Sequence, residues 1–330
     1  MKKHQLIIIG GGPAGLSAAL SAREKGIDDI LIIDRNKKPG GLLFQCIHYG
    51  FGMRRFGEEL TGPEYADRLI SQIQEYNSAD RAKLKAAGGV KSGIEILTDT
   101  SVVKISEDRT IMTSGKTGVH EFTAAGIIIA TGCRERTIES LSVTGTRPSG
   151  VFTAGNVQKM MNIGGYSVGD NIVMLGSGDI GLIVARGLAL AGKKVLAVVE
   201  QAEKCGGVVR GKAECLDTFG IPLLTRNTVS RLYGDERLTG VRISPADIED
   251  KGFDLECDTL ITSLGLIPEV DLLWDLGAHL ESGQFPVNVK NGTRMPWLFV
   301  CGNAAQVWHF ADDVADDGTS AGKRAAEYIL

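Results

Sequence analysis

Two glycine-rich runs have the residue types and spacing that can hold nucleotide phosphates. The first is GGGPAG, with Gly10, Gly12 and Gly15, and the second is GSGDIG, with Gly176, Gly178 and Gly181. Each follows an apolar run, Leu6 to Ile9 in one copy and Ile172 to Leu175 in the other. Each also opens a helix-forming stretch. A second apolar run then ends on an acid in both copies, Asp34 and Glu200, at the same distance from the first glycine. One such run is weak evidence, but two in this full context point to a dinucleotide fingerprint used twice.

The chemistry explains the spacing. The first glycine makes the strand-to-helix turn, the second lets backbone approach a pyrophosphate, and the third lets helix and strand pack closely. The helix N-terminus offers unpaired N–H groups and a positive dipole end to the phosphates. Pro13 and Ala14 in one copy, and Asp179 and Ile180 in the other, line the same turn. The acid is placed to accept hydrogen bonds from ribose hydroxyls. Glu200 is followed by Gln201, Ala202 and Glu203, with no Arg beside it to accept a 2′-phosphate. A charge-assisted hydrogen bond is worth about 1.5–3 kcal/mol, so the second site is expected to favour NAD(H) over NADP(H). Lys204 is the nearby cation able to shift that balance.

The elements that must position these residues are strand, helix, strand. The first helix is expected from Leu16 to Lys25, ended by Gly26, and the second from Leu182 to Ala191, ended by Gly192. Thr61 to Glu64 (TGPE) is a capping-box pattern with Pro inside the first helical turn, so a helix is expected to start there. With 330 residues, 43% hydrophobic and 23% charged, the chain suits about two soluble globular domains. Its net charge of −4 argues against a nucleic-acid binder. No apolar run approaches the roughly 18 residues of a membrane span. The apolar start is too short for a signal-peptide core, so a cytoplasmic protein is expected. The six cysteines, Cys46, Cys133, Cys205, Cys215, Cys257 and Cys301, form no C-x-x-C. Neither a zinc knuckle nor a thioredoxin-like dithiol is visible, and no metal site is expected.

Further segments resemble the flavoproteins with two dinucleotide-binding domains, the broad family that includes thioredoxin reductase and glutathione reductase. Pro39, Gly40 and Gly41, soon after Asp34 and Arg35, are similar to that family's second flavin-contacting turn. The run from Gly126 to Arg136 (GIIIATGCRER), with Ala130, Thr131 and Gly132, resembles its crossing from FAD domain to NAD domain. The run from Asp258 to Pro268, with Gly265, resembles the return crossing. The run from Trp297 to Asn303 resembles the closing strand that meets the flavin ribitol, although Gly302 is followed by Asn303 where the family usually has Asp. The helix expected near Asp312 to Tyr328 would aim its positive end at the flavin pyrimidine edge.

The resemblance implies an α/β fold of two Rossmann-like dinucleotide-binding domains, the NAD domain inserted into the FAD domain. Boundaries are expected at residues 1–145 and 263–330 for the FAD part and 146–262 for the NAD part. It assigns Gly10, Gly12, Pro13, Ala14, Gly15, Asp34, Arg35, Gly40, Gly41, Ala130, Thr131, Gly132, Gly302 and Asn303 to FAD. It assigns Gly176, Gly178, Asp179, Ile180, Gly181, Glu200 and Gly265 to NAD. The family's dithiols are missing. Leu43 and His48 stand where one branch has its cysteine pair, and the run from Phe152 to Val157 stands where the other does. Disulfide reduction by the usual mechanism is therefore not expected.

Four stretches, Gly40 to His48, Glu59 to Tyr65, Gly176 to Leu182 and Cys215 to Pro222, resemble a narrower group. Its members are FAD/NAD-linked subunits that accompany a glycerol-3-phosphate dehydrogenase-like flavoprotein, related to subunits of opine oxidase and hydrogen cyanide synthase. The likeness implies a partner flavoprotein or electron-carrier subunit, in a homo- or hetero-oligomer. The expected chemistry is hydride transfer between nicotinamide and flavin. Cys46 and His48 follow the flavin turn and are the candidate catalytic residues, His48 as a proton donor or gate. The alternative for His48, and for His309, is packing or hydrogen bonding; Trp308 either covers the flavin or fills the core, and the core is the reading taken. Two other functions stay open. One is direct oxidation of a small amine or hydroxy acid at the flavin, anchored by Arg54, Arg55 or Arg134. The other is a non-catalytic scaffold subunit.

Overall fold

The computed structural model describes residues 2–87, 93–207, 209–247, 251–277, 286–287 and 292–330. Its contacts divide the chain into two units, Met1–Arg134 with Ile267–Leu330, and Glu135–Leu266. The second is an insertion in the first, in the order expected. The changes fall at 134/135 and 266/267, not at 145/146 and 262/263. Burial explains the earlier crossing, because Ile138 and Val143 lie in the core of the inserted unit.

In the first unit the fingerprint strand Lys2–Ile9 lies between Asp29–Ile33 and Gly118–Ile129, parallel to both. Gly93–Leu97 extends the sheet beyond Asp29–Ile33. Leu298–Val300 adds in parallel beside Ile127–Ile129. The antiparallel strands Thr110–Gly115 and Thr100–Ile105 continue from the other half of the long strand. Successive side chains of a strand point to opposite faces, and here both faces are covered, as parallel sheets require. Leu6, Ile8, Ile30 and Ile32 face the side of helix Pro13–Glu24. Ile7, Ile9, Leu31 and Ile33 face Val270 and Leu273 on the other side. Each such side chain, fully buried, contributes about 1.5–3 kcal/mol. The unbroken LIII and ILII runs are the sequence form of that two-sided burial.

Helix Pro13–Glu24 packs on the closing helix Ala311–Ile329. A Cβ on Gly318 would lie 2.1 Å from Ala14 O, and one on Gly322 would lie 2.1 Å from Ala18 O. The two backbones meet because neither position carries a side chain. Ser21 Oγ donates to Thr319 O at 2.9 Å across the same contact.

The inserted unit repeats the plan. Asn171–Leu175 lies between Thr259–Thr262 and Lys194–Glu200 in an all-parallel sheet, with Val151–Thr153 and Leu223–Thr225 at its edges. Helix Asp179–Leu190 follows the second fingerprint. A second sheet of four strands, Thr144–Gly145, Asn227–Tyr233, Gly240–Pro245 and Phe253–Glu256, supplies Val229, Leu232, Val241 and Ile243 to the core shared with Val173, Leu175 and Val199.

Helix Gly62–Ala87 begins on the expected capping box. Thr61 N–H and Oγ1 donate to Glu64 Oε2 at 2.8 and 2.7 Å, and Glu64 N–H returns to Thr61 Oγ1 at 3.5 Å. Those bonds, the Thr61 N–H first, hold the Glu64 carboxyl below the usual carboxylate range.

Candidate functional site

The first glycines of the two fingerprints make the same backbone bond. Gly10 N–H donates to Ile33 O and Gly176 N–H to Val199 O, both at 2.8 Å. Their φ angles are +106° and +99°. A Cβ on Gly10 would lie 2.2 Å from Ala130 O, and one on Gly176 would lie 2.2 Å from Ser263 O. A Cβ on Gly15 would fall 1.9 Å from Gly10 O, and one on Gly181 2.9 Å from Gly176 O. The first and third glycines are therefore demanded by the chain's own turn and helix packing.

The second glycine is different. Gly12 has φ −76° and Gly178 has φ −64°, values open to any residue. A Cβ on Gly12 would meet only Gly41 Cα at 3.9 Å, and one on Gly178 only Ser263 Oγ at 3.8 Å. Both are ordinary van der Waals contacts. Among the described residues nothing lies close enough to exclude a Cβ at these two positions. Each caps the N-terminus of its helix, where backbone N–H groups have no intrahelical partner. The bare backbone is what a phosphate needs to come close. The residues present thus fit a dinucleotide pyrophosphate in each unit.

The acids are held alike. Asp34 Oδ2 accepts Gly11 N–H and Oδ1 accepts Asn36 N–H, both at 2.7 Å. Glu200 Oε2 accepts Ser177 N–H at 2.9 Å and Oε1 accepts Ala202 N–H at 2.8 Å. In each case the backbone aims the carboxylate across the end of the strand. Asp34 is buried, while Glu200 is half-buried.

The structure gathers the other assigned residues around these ends. Gly40 N–H donates to Gly11 O at 2.6 Å, and a Cβ on Gly41 would lie 3.1 Å from Gly12 Cα, so that turn closes over the first fingerprint. Ala130 N–H donates to Ile9 O at 2.8 Å. Thr131 Oγ1 donates to Glu269 O, and Gly132 O accepts Glu269 N–H at 2.9 Å. Gly302 N–H donates to Asp317 Oδ2 at 2.7 Å. Asn303 uses its side chain within the unit, Oδ1 accepting Trp308 N–H at 3.0 Å and Nδ2 donating to Cys133 Sγ at 3.6 Å. Pro13 stands in the first turn of its helix, and Arg35 is exposed. In the inserted unit Asp179 and Ile180 open the second helix, and Gly265 O accepts Arg136 N–H at 2.9 Å. The closing helix spans Ala311–Ile329, and its first turn carries Asp312 and Asp313. These carboxylates already meet its positive end.

The candidate reactive residues are less prepared. Cys46 follows a short 3-10 helix, Gly41–Gln45, and burial pushes its thiol up to about 11. It is a thiol, not a thiolate, at neutral pH. His48 pairs through Nδ1 with Tyr49 O at 2.9 Å and leans on Phe51, with ring centroids 5.2 Å apart. His309 is exposed, and Trp308 packs against the core as expected. The three candidate anchors are already ion-paired: Arg54 with Asp313 and Asp316, Arg55 with Asp316, and Arg134 with Glu269 and Asp271. Among the described residues no group of three or more His, Cys, Asp or Glu could hold a metal ion.

One feature of the second site escaped the sequence reading. Gly207 N–H donates to Ser177 O at 2.8 Å, as Gly40 N–H does to Gly11 O. The bond comes from the first glycine of the pair in one unit and from the second in the other, and the turns differ in shape: Gly40 and Gly41 have φ +127° and +59°, whereas Gly206 and Gly207 do not adopt a positive φ. Extending the alignment of the two copies past their acids would have found it, because each acid is followed within a few residues by a Gly-Gly pair.

Comparison with known proteins agrees with this geometry. A sequence profile described as pyridine nucleotide-disulphide oxidoreductase matches residues 4–318. A thioredoxin reductase of Listeria innocua is 23% identical, with 99% of this chain and 94% of that protein covered. Hydrogen cyanide synthase subunit HcnB of Pseudomonas aeruginosa is 26% identical over 91% of this chain, which spans only 66% of HcnB. The crystal structure of T. acidophilum thioredoxin reductase has the same fold, with a TM-score of 0.74, 20% identity and 99% of both chains covered.

Proposed function

This chain belongs to the pyridine nucleotide-disulphide oxidoreductase family, and we propose that it passes hydride between NAD(H) and FAD and exchanges the electrons with a partner subunit or acceptor. FAD would be held by Gly10, Gly12, Gly15, Asp34 and Gly41, and NAD(H) by Gly176, Gly178, Gly181 and Glu200. When bound, the two cofactors supply the hydride donor and acceptor. The chain supplies backbone N–H groups to the phosphates, acids to the riboses and apolar sheets that fix both ends.

The observation that carries this reading is the open backbone at Gly12 and Gly178, which no contact among the described residues requires. Preference for NAD(H) follows from Glu200 and Glu203, whose charges would repel a 2′-phosphate. Arg226, a cation on the adjoining strand end, is taken by Glu203. The partner is inferred from two facts. Leu43, His48 and the run from Phe152 to Val157 stand where the family's cysteine pairs lie, and none of the six cysteines is in a disulfide. The similar protein HcnB is, by name, a subunit of a larger enzyme. The pairing of Arg54, Arg55 and Arg134 with carboxylates gives no support to a substrate-carboxylate anchor. Among the described residues no helix is long and apolar enough to cross a membrane.

The test is an anaerobic titration of the FAD-loaded protein with NADH and, separately, NADPH, following the flavin absorbance. Rapid bleaching by NADH, with NADPH much weaker, is expected. Absence of bleaching by either nucleotide would overturn the hydride reading.

A further inference from the structure

The two fingerprints differ at the residue after the first glycine, Gly11 in one copy and Ser177 in the other, and the difference falls on the acid. Ser177 is fully buried. Its N–H and its Oγ both donate to Glu200 Oε2, at 2.9 and 2.6 Å. The same Oγ accepts Gly206 N–H at 2.8 Å, and Ser177 O accepts Gly207 N–H at 2.8 Å and the Cys205 thiol at 3.7 Å. One side chain therefore ties together fingerprint, acid and the turn Cys205 to Gly207. In the first unit Gly11 makes only the backbone versions of these bonds, N–H to Asp34 Oδ2 at 2.7 Å and O from Gly40 N–H at 2.6 Å.

Counting acceptor sites shows the consequence. A carboxylate oxygen has two lone-pair sites. Asp34 spends one on each oxygen and keeps one on each. Glu200 spends both sites of Oε2 on Ser177 and one of Oε1 on Ala202 N–H. It keeps a single acceptor, on Oε1, in a fixed direction.

We propose that Ser177 is a specificity-determining positioning residue: its hydroxyl pins Glu200 so that one fixed carboxylate oxygen receives the adenosine ribose of NAD(H) and repels a 2′-phosphate. This rests on the assignment of Glu200 to the ribose made above. Without the hydroxyl the backbone N–H groups of Ser177 and Ala202 still hold the carboxylate, as Gly11 and Asn36 hold Asp34, but Oε2 regains a free acceptor site and the carboxylate is fixed less tightly. It then presents a less sharply aimed oxygen to a ribose hydroxyl and can yield to a phosphate.

The experiment measures Kd for NADH and for NADPH on the FAD-loaded protein by direct equilibrium binding, in wild type, Ser177→Ala, Ser177→Gly and Glu200→Gln. Ser177→Gly copies the arrangement that Gly11 already has in this chain, so it guards against a fold lost through Ser177→Ala. In both Ser177 variants the Kd for NADH is expected to rise about tenfold, as for loss of one charge-assisted bond. The Kd for NADPH should stay within about twofold, so the ratio between the two nucleotides contracts. Equal shifts for both nucleotides, or none, would overturn the proposal and leave Ser177 a merely structural residue. If Glu200→Gln contracts the ratio while the Ser177 variants do not, the ribose assignment stands and the role of Ser177 falls alone. If Glu200→Gln leaves the ratio unchanged, or wild type binds neither nucleotide, the ribose assignment falls and this proposal falls with it.

Discussion

Replacing Gly178 by Ala separates what the fold needs from what a nucleotide needs. The added methyl would lie 3.8 Å from Ser263 Oγ, the nearest atom among the described residues, at φ −64°. The folded protein therefore loses no contact and gains no strain. Restriction of the unfolded chain, about 0.4–1 kcal/mol, is offset by Ala being a poorer N-cap than Gly, so stability should stay within about 1 kcal/mol of wild type. A phosphate approaching the helix N-terminus would meet that methyl. Inserting a methyl into a filled site costs about 1–3 kcal/mol, or roughly 5- to 150-fold in Kd. Gly176→Ala is the contrasting change, because its Cβ would lie 2.2 Å from a backbone oxygen at φ +99°. It should lower the melting temperature as well as nucleotide affinity. The assay is NADH binding by fluorescence titration, paired with thermal unfolding followed by circular dichroism, on FAD-loaded protein. If Gly178→Ala binds NADH like wild type, the open backbone there does not serve a phosphate, and the argument from the second glycine is refuted.

The same reasoning makes Gly12→Ala a stable protein that purifies with little or no FAD, read from the flavin-to-protein absorbance ratio. Gly318→Ala should destabilise the first unit, since its Cβ would sit 2.1 Å from Ala14 O; overpacking of about 1–3 kcal/mol should appear as a melting temperature lower by a few degrees or more. Asp258 gives a pH dependence. Burial pushes its carboxyl up, but the N–H groups of Asn171 and Asp170 and the Thr259 hydroxyl outweigh burial and hold it below the usual range. A carboxyl lowered on folding adds stability above its unfolded pKa and loses it as pH falls through the folded value. Asp258→Asn should therefore be less stable than wild type near neutrality, and the gap should narrow in acid melts. Cys46, with its thiol pushed up to about 11, should alkylate slowly at neutral pH and faster only as pH approaches that value, checked by mass spectrometry of the Cys46 peptide.

How far the site could be read from the chain depends on the range of the interactions involved. The glycine spacing, the acids Asp34 and Glu200 and the TGPE cap are local patterns with local causes, and each stands in the structure where the sequence placed it. The pairing of Arg54 with Asp313, nearly the whole chain away, has no such pattern. Nor does the use of Asn303 by Trp308 and Cys133. The chain crosses at 134/135 and not at the expected 145/146, because Ile138 and Val143 look like any surface-loop apolar residues until the sheet that covers them is known.

By itself the sequence determined two strand–turn–helix units of one kind, their order and the acids that end them, because backbone sterics and hydrophobic periodicity act over a few neighbouring residues. Only the tertiary structure decided which glycines the protein needs for itself and which it leaves bare. It also decided that Ser177 joins an acid and a turn lying more than twenty residues beyond it. Those facts depend on which atoms lie within 4 Å across the fold, a distance that spacing along the chain does not specify.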